Sequence, residues 1–312
     1  MSHIRRWTSL LAAIGIGLAL PCTLPAQDLA AAKTAERSCT KCHDEGDKHQ
    51  VLSILATKHA VMGDPRTPYA DQACITCHGP SEAHLDAEDD ANRPKPDYSF
   101  ASGELAAGSN EVCLTCHERG EQTHWKGSAH ETANVACSSC HQVHAQQDLV
   151  ADRDTQSDVC YGCHKDVRAQ NLRPFRHPVH EGKVACSDCH SPHGSASGKG
   201  LLTKATLNET CYTCHAEKRG PFLWEHAPAR EDCSSCHTPH GSVHQSMLKA
   251  RGPWLCQQCH LAPQHPSTAY SGTGLPGATR PSGAQQMLGR NCMNCHPYVH
   301  GSNHPSGVRK TQ

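Results

Sequence analysis

The chain has 312 residues, long enough for two ordinary globular domains, but only 43 of them are Leu, Ile, Val or Phe and only 4% are aromatic. A share of about 14% is below what a packed aliphatic core needs. The formal net charge is -1, which lacks both the charge excess of a disordered chain and the basic footprint of a nucleic-acid binder. The unusual residues are 21 Cys and 26 His, so something other than aliphatic side chains must form the interior.

The N-terminus reads as an export signal. Arg5 and Arg6 precede an apolar run from about Leu10 to Leu20, followed by Pro21 and Thr23-Leu24-Pro25-Ala26. This predicts a signal peptide over 1–26 with cleavage after Ala26, because the run is too short to span a bilayer. Cys22 is expected to leave with it, since Pro21 precedes it where a lipoprotein signal wants a small residue. No other long apolar run follows, so no membrane span is expected in the mature chain. The expected location is the periplasm.

The 20 remaining cysteines all fall into C-x-x-C pairs, each followed by His. In chain order these are Cys39, Cys42 and His43; Cys74, Cys77 and His78; Cys113, Cys116 and His117; Cys137, Cys140 and His141; Cys160, Cys163 and His164. Then come Cys186, Cys189 and His190; Cys211, Cys214 and His215; Cys233, Cys236 and His237; Cys256, Cys259 and His260; Cys292, Cys295 and His296. C-x-x-C-H is the attachment signature of c-type haem. On a helical turn both thiols share a face, where they can form thioethers with the two vinyl groups of one porphyrin. The following His lies on the same face and reaches the iron as proximal ligand. Zinc sites and disulfide frameworks also use paired cysteines, but neither needs a His after every pair. Ten c-type haems, with their iron, are expected. They would serve as the interior, with short helices and irregular chain wrapped around a linear array and little or no β-sheet.

The motifs alternate between two contexts. Odd motifs read NEVCLTCH, SDVCYGCH and NETCYTCH; even motifs carry one His upstream and another just downstream, as in HEGKVACSDCHSPH. This makes five dihaem repeats. The upstream set is His59, His130, His180, His226 and His265; the downstream set is His84, His144, His193, His240 and His300. These ten are the expected distal ligands, although which serves which iron is not legible. His49, His124, His177, His244 and His304 are left over, with His124 and His177 the ones most easily exchanged with neighbours in the ligand set. If every iron has two His ligands, none is open to substrate. Electron transfer is then favoured over catalysis, and no catalytic residue is assigned.

First cysteines are separated by 35, 39, 24, 23, 26, 25, 22, 23 and 36 residues, tight in the middle and long at both ends. No gap holds a haem-free domain. Gly79–Asn110 contains the acidic run Asp86-Ala87-Glu88-Asp89-Asp90, expected as a solvated loop or a docking surface. Leu261–Arg290 is rich in Gly, Pro and Ser and reads as irregular chain.

Ten such motifs in about 300 residues after a signal peptide resemble the MtrA-type, or DmsE-family, decahaem cytochromes. The strings CYTCHAEKRGPFLWEHAPAREDCSSCHTPHG, WLCQQCH, HPSTAYSG and CHPYVHGSNHPSG carry the resemblance. It implies bis-His haems arranged as a wire inside an outer-membrane β-barrel. Electrons would come from a periplasmic or inner-membrane quinol-linked cytochrome. They would pass to an extracellular multihaem cytochrome or reductase, in respiration of metal oxide or dimethyl sulfoxide. It also implies two pentahaem halves, 27–165 and 166–312, which the spacing alone does not display. A soluble periplasmic shuttle or store, or a multihaem reductase, would use the same motifs.

Overall fold

The computed structural model describes residues 38–44, 46, 50–100, 106–197, 200–260, 292–294, 296–305 and 307. The expected signal peptide, Cys22, His49, His265, Cys295 and the stretch 261–290 lie outside them.

The described chain is a succession of short helical turns and irregular segments, with helices no longer than nine residues. Helices this short are unstable alone in water, so their order must come from packing. The polypeptide itself offers little to pack against. The buried apolar residues are Tyr69, Ala73, Ala106, Leu114, Trp125, Tyr161, Ala185 and Leu202, and no large side chain among the described residues is fully buried. The one hydrophobic cluster among the described residues joins Tyr69 and Ala73 to Ile54, Ala60 and Cys74. No described helix is long and apolar enough to cross a membrane.

The two motif contexts fold differently. Four odd motifs begin inside an α-helix: Ala106–Leu114, Gln156–Tyr161, Leu207–Tyr212 and Gly252–Gln257. Each helix ends on the residue after its first cysteine. Thr206 caps the third by accepting from the Glu209 N–H, and Pro253 sits in the first turn of the fourth, where its missing N–H costs nothing. The even motifs from the fourth onward are single 3-10 turns, Cys137–Ser139, Cys186–Asp188, Cys233–Ser235 and Cys292–Asn294. Extended residues Ala136, Ala185 and Asp232 precede the first three and prevent a longer helix.

The only sheet among the described residues has two strands, β1 (Trp224–Glu225) and β2 (Gly301–Ser302). They run antiparallel with Trp224 opposite Ser302 and Glu225 opposite Gly301. An isolated antiparallel bridge, Phe175 to Ser242, repeats the arrangement one unit earlier. The expectation of short helices, irregular chain and almost no sheet therefore holds.

Candidate haem-binding array

Each motif is closed by one backbone hydrogen bond. The N–H of the motif His donates to the carbonyl of the first Cys, four residues back, at 2.9 to 3.0 Å for His43, His117, His141, His164, His190, His215, His237, His260 and His296. The second motif is a full α-helical turn, Cys74–His78. The His ring thus stands on the same face as the two thiols.

The repeats assemble through their cysteines. The first thiol of each odd motif lies within hydrogen-bond reach of the first thiol of the following even motif. The pairs are Cys39 with Cys74, Cys113 with Cys137, Cys160 with Cys186, Cys211 with Cys233, and Cys256 with Cys292. Neighbouring repeats are close as well: Cys77 lies near Cys113, Cys140 near Cys163, Cys189 near Cys211, and Cys236 near Cys259. Buried asparagines stitch two of the pairs. Asn110 accepts from the Cys137 N–H at 2.8 Å and donates to the Val135 carbonyl. Asn208 accepts from the Cys233 N–H at 2.8 Å and donates to the Ala229 and Arg230 carbonyls.

Nine motif histidines face a second His ring. The pairs and centroid separations are His43–His84 at 6.1 Å, His78–His144 at 6.1 Å and His117–His59 at 6.0 Å. Then follow His141–His193 at 5.9 Å, His164–His130 at 6.2 Å and His190–His240 at 5.9 Å. The last are His215–His177 at 6.3 Å, His237–His300 at 6.1 Å and His260–His226 at 6.1 Å. Two rings in van der Waals contact would be closer. Two imidazoles bound to opposite faces of one metal, each through a bond of about 2 Å, stand roughly 6 Å apart between centroids. The interplanar angles range from 9° to 81°, as expected when each ring is free to rotate about a shared axis.

The outer nitrogens complete the fit. Nδ1 of His84 donates to the Pro94 carbonyl at 2.7 Å, that of His130 to Pro192 at 2.7 Å, that of His177 to Pro239 at 2.8 Å, and that of His226 to Val299 at 2.7 Å. Among the motif histidines, Nδ1 of His78 donates to the Tyr98 carbonyl, that of His190 to Gly200 and that of His237 to Ser246. A carbonyl only accepts, so the proton sits on Nδ1 and the Nε2 lone pair is free for a metal. Burial pushes His59, His144, His193, His240 and His300 below the ordinary histidine pKa. The facing ring adds to this for the first four, and Lys218, then His237, for His300. Both effects favour the neutral imidazole, the form able to bind a metal.

The motif faces line one continuous cavity of about 5900 Å³. A pocket for a single drug-sized ligand measures roughly 300–1000 Å³, so this space takes several large groups. Arg176 Nε, beside His177, is buried without a partner in the polypeptide, a donor suited to a carboxylate of the bound group. The residues present fit haem.

Nine of the ten motif histidines and eight of the ten expected distal histidines fall into these pairs. His265 lies outside the described residues. The ring facing His215 is His177, whereas the expectation placed His180 in that set; the His180 ring lies 6.0 Å from Tyr161. The reason is a long-range contact. The bridge between Phe175 and Ser242 holds His177 two residues beyond Phe175, next to Pro239 and His240. β1 and β2 do the same for His226 and His300. Glycines make this clamp possible. Gly194, Gly241 and Gly301 each follow a downstream His and have φ of +104°, +137° and +141°. A Cβ on them would strike the His124 carbonyl, the Gln170 carbonyl and the Phe222 ring. The His-Gly dipeptide was legible in the sequence as a recurring pair, but its role shows only in the fold.

The acidic run is mostly exposed, and the chain that follows it is tied back to His84. Asp90 pairs with Arg93 at 2.7 Å, and Arg93 Nη1 donates to the His84 carbonyl. With Pro94, this segment holds His84 opposite His43.

Residues 177–220 and 226–264 match the doubled CXXCH motif family, and residues 74–158 match the NrfB-like c-type cytochrome family. The chain is 45% identical over 271 residues to the multihaem cytochrome MtrA of Shewanella baltica, covering 86% of this chain and 79% of that protein. It is 31% identical over 157 residues to the cytochrome c-type protein NrfB of Escherichia coli, covering 47% of this chain and 75% of that one. With attachment motifs, opposed histidines and a cavity that fits haem all in place, the chain belongs to the MtrA-type family of multihaem c-type cytochromes, whose general work is electron transfer.

Proposed function

We propose that the chain carries ten haems c on its ten motifs and conducts electrons along them between periplasm and cell exterior, sheathed in an outer-membrane β-barrel. When bound, each haem supplies a one-electron ferric/ferrous couple. The cysteine contacts carry this reading. Each thiol marks where a porphyrin edge is attached, and these edges meet within every repeat and again between repeats. Tunnelling rates fall steeply with edge separation, so holding attachment points together is what a wire requires.

The ligand pairs add a rule. The downstream His of one repeat faces the even motif of the previous repeat, as His144 faces His78, His193 faces His141, His240 faces His190 and His300 faces His237. The upstream His of one repeat faces the odd motif of the next, as His59 faces His117, His130 faces His164, His177 faces His215 and His226 faces His260. We assign these as distal ligands, with His265 supplying the iron of His296. Every pair of repeats is thereby interlocked and no iron is left open, which is the ligand set of a carrier rather than an enzyme.

A hydrophilic chain cannot cross hydrocarbon bare, because its irregular backbone would be unsatisfied there. Large barrels have polar lumens that can hold it. The remaining partners in this reading are a quinol-linked cytochrome donor and an extracellular multihaem cytochrome or reductase. Within the wire, 27–165 and 166–312 would act as its periplasmic and outward pentahaem halves. Fractionation of native cells, haem staining and co-purification from mild detergent test the proposal. Recovery in the outer membrane bound to a β-barrel is the expected result. Free solubility in the periplasm with all partners expressed would overturn the conduit in favour of a shuttle.

A further inference from the structure

Among the motif histidines His78, His141, His190 and His237, one has a different kind of outer partner. Nδ1 of His78 meets the Tyr98 carbonyl at 3.0 Å, that of His190 the Gly200 carbonyl at 2.6 Å, and that of His237 the Ser246 carbonyl at 2.8 Å. Nδ1 of His141 instead donates to a carboxylate oxygen, Asp148 Oδ2, at 2.6 Å. The other oxygen of Asp148 accepts from the Gln142 N–H at 3.2 Å, so both are engaged and the carboxylate is oriented. The Asp148 main-chain carbonyl accepts from Ala151 and Asp152 N–H, which fixes the turn that carries it. Asp148 pairs with His141 and with no Lys or Arg among the described residues. The nearest parallel, Glu217, lies 3.9 Å from His215 Nδ1, beyond hydrogen-bond reach, and both side chains are more than half exposed.

The local reason is loop length. After the sixth and eighth motifs the chain folds back so that a main-chain carbonyl arrives ten or nine residues beyond the His. After the fourth it turns earlier, and a side chain seven residues on fills the place. The substitution changes the chemistry. A carbonyl is a neutral acceptor, whereas a carboxylate brings a full charge and a stronger, charge-assisted bond. An imidazole bonded to a carboxylate is a more basic ligand. A more basic axial ligand favours ferric over ferrous iron and lowers the potential.

We propose that Asp148 is a positioning residue that makes the haem of Cys137, Cys140 and His141 harder to reduce than those of His78, His190 and His237, a fixed energy step at the fourth place in the wire. This rests on the bis-His reading above, with His193 as the opposite ligand at 5.9 Å. Reduction adds one electron to the iron, and the Nδ1 proton stays in the bond to Asp148.

Asp148→Asn keeps an oxygen acceptor in place and removes the charge; Asp148→Glu keeps the charge. Potentiometric titration of the full haem-loaded protein, followed by EPR and optical spectra, is the test. In Asp148→Asn one haem should titrate at higher potential. Its reduced-to-oxidised ratio at fixed ambient potential should rise about three- to tenfold, tenfold being about 59 mV for a one-electron couple. That haem should stay low spin with its g spread widened toward that of the others, and Asp148→Glu should restore the wild-type titration. An unchanged titration, or a shift shared evenly by all haems, would overturn the proposal. If Asp148→Asn fails to load its haems, the wild-type ferric protein decides. One low-spin signal with a narrower g spread than the rest is expected, and its absence overturns the proposal. Failure of the bis-His reading itself would show separately, as a high-spin signal in the wild type.

Discussion

The first repeat and the interior repeats solve the same problem in opposite ways. In the interior, a ring facing a motif His comes from a neighbouring repeat, and the Nδ1 of an upstream ring is held by a carbonyl far along the chain. His130 reaches Pro192 and His177 reaches Pro239, each 62 residues away. In the first repeat, His84 faces His43 of its own repeat and is held by Pro94, ten residues away. The odd motif of the first repeat has no earlier repeat to borrow from, so its facing ring comes from its own repeat. The long first gaps and the Asp90–Arg93 segment supply the chain to do so. The lesson is that repeats in this array are joined by exchanged histidines rather than by an apolar interface, since among the described residues only Tyr69 and Ala73 form a buried apolar cluster.

The strongest way to break the comparison is to remove the metal groups. Protein exported from a strain unable to attach haem should lose the fold at both end and interior, because the ordering entropy of its backbone has nothing to oppose it. Rapid digestion of the whole chain by a small amount of protease, against resistance of the loaded protein, is the expected reading. A protease-resistant haem-free core would contradict a haem-based interior.

A smaller effect separates one link. His177→Ala should convert one haem of the set to high spin in the ferric EPR spectrum, because the ring facing His215 is gone. His180→Ala should leave the low-spin spectrum as it was. The reverse outcome would reinstate the ligand set expected from spacing alone. His84→Ala should act in the same way on the terminal haem without loosening contact between repeats.

The mildest change acts on the clamp. Gly241→Ala puts a Cβ into the Gln170 carbonyl at a φ of +137°, a strain of about 1–3 kcal/mol for a non-glycine residue. A lower thermal midpoint with haem content retained is expected. Ala145 follows His144 where the other three interlocking repeats have Gly, so Ala145→Gly should not produce a comparable loss.

Much of this was legible before any fold was seen. Ten C-x-x-C-H motifs name haem c because two thiols and a His at that spacing share one face of a turn, whatever surrounds them. The shortage of Leu, Ile and Phe foretold a non-aliphatic interior. The alternation of SDVCYGCH-like and HEGKVACSDCH-like contexts announced the dihaem repeat, which the contacts of Cys113 with Cys137 and Cys160 with Cys186 now place in space. The third repeat shows where that reading stops. His177 and His180 have the same chemistry and lie three residues apart, and nothing in the string RHPVHEG chooses between them.

What the sequence by itself determined is therefore the covalent chemistry, the cofactor class and the count of candidate ligands, all set by residues within one turn of each other. What only the tertiary structure decided is which histidine faces which, and that His141 leans on a carboxylate while His78, His190 and His237 lean on carbonyls. Those choices depend on segments 62 residues apart being brought together by a two-residue bridge and a glycine with positive φ. Contacts of that range are fixed by the packing of the whole array, and no local pattern encodes them.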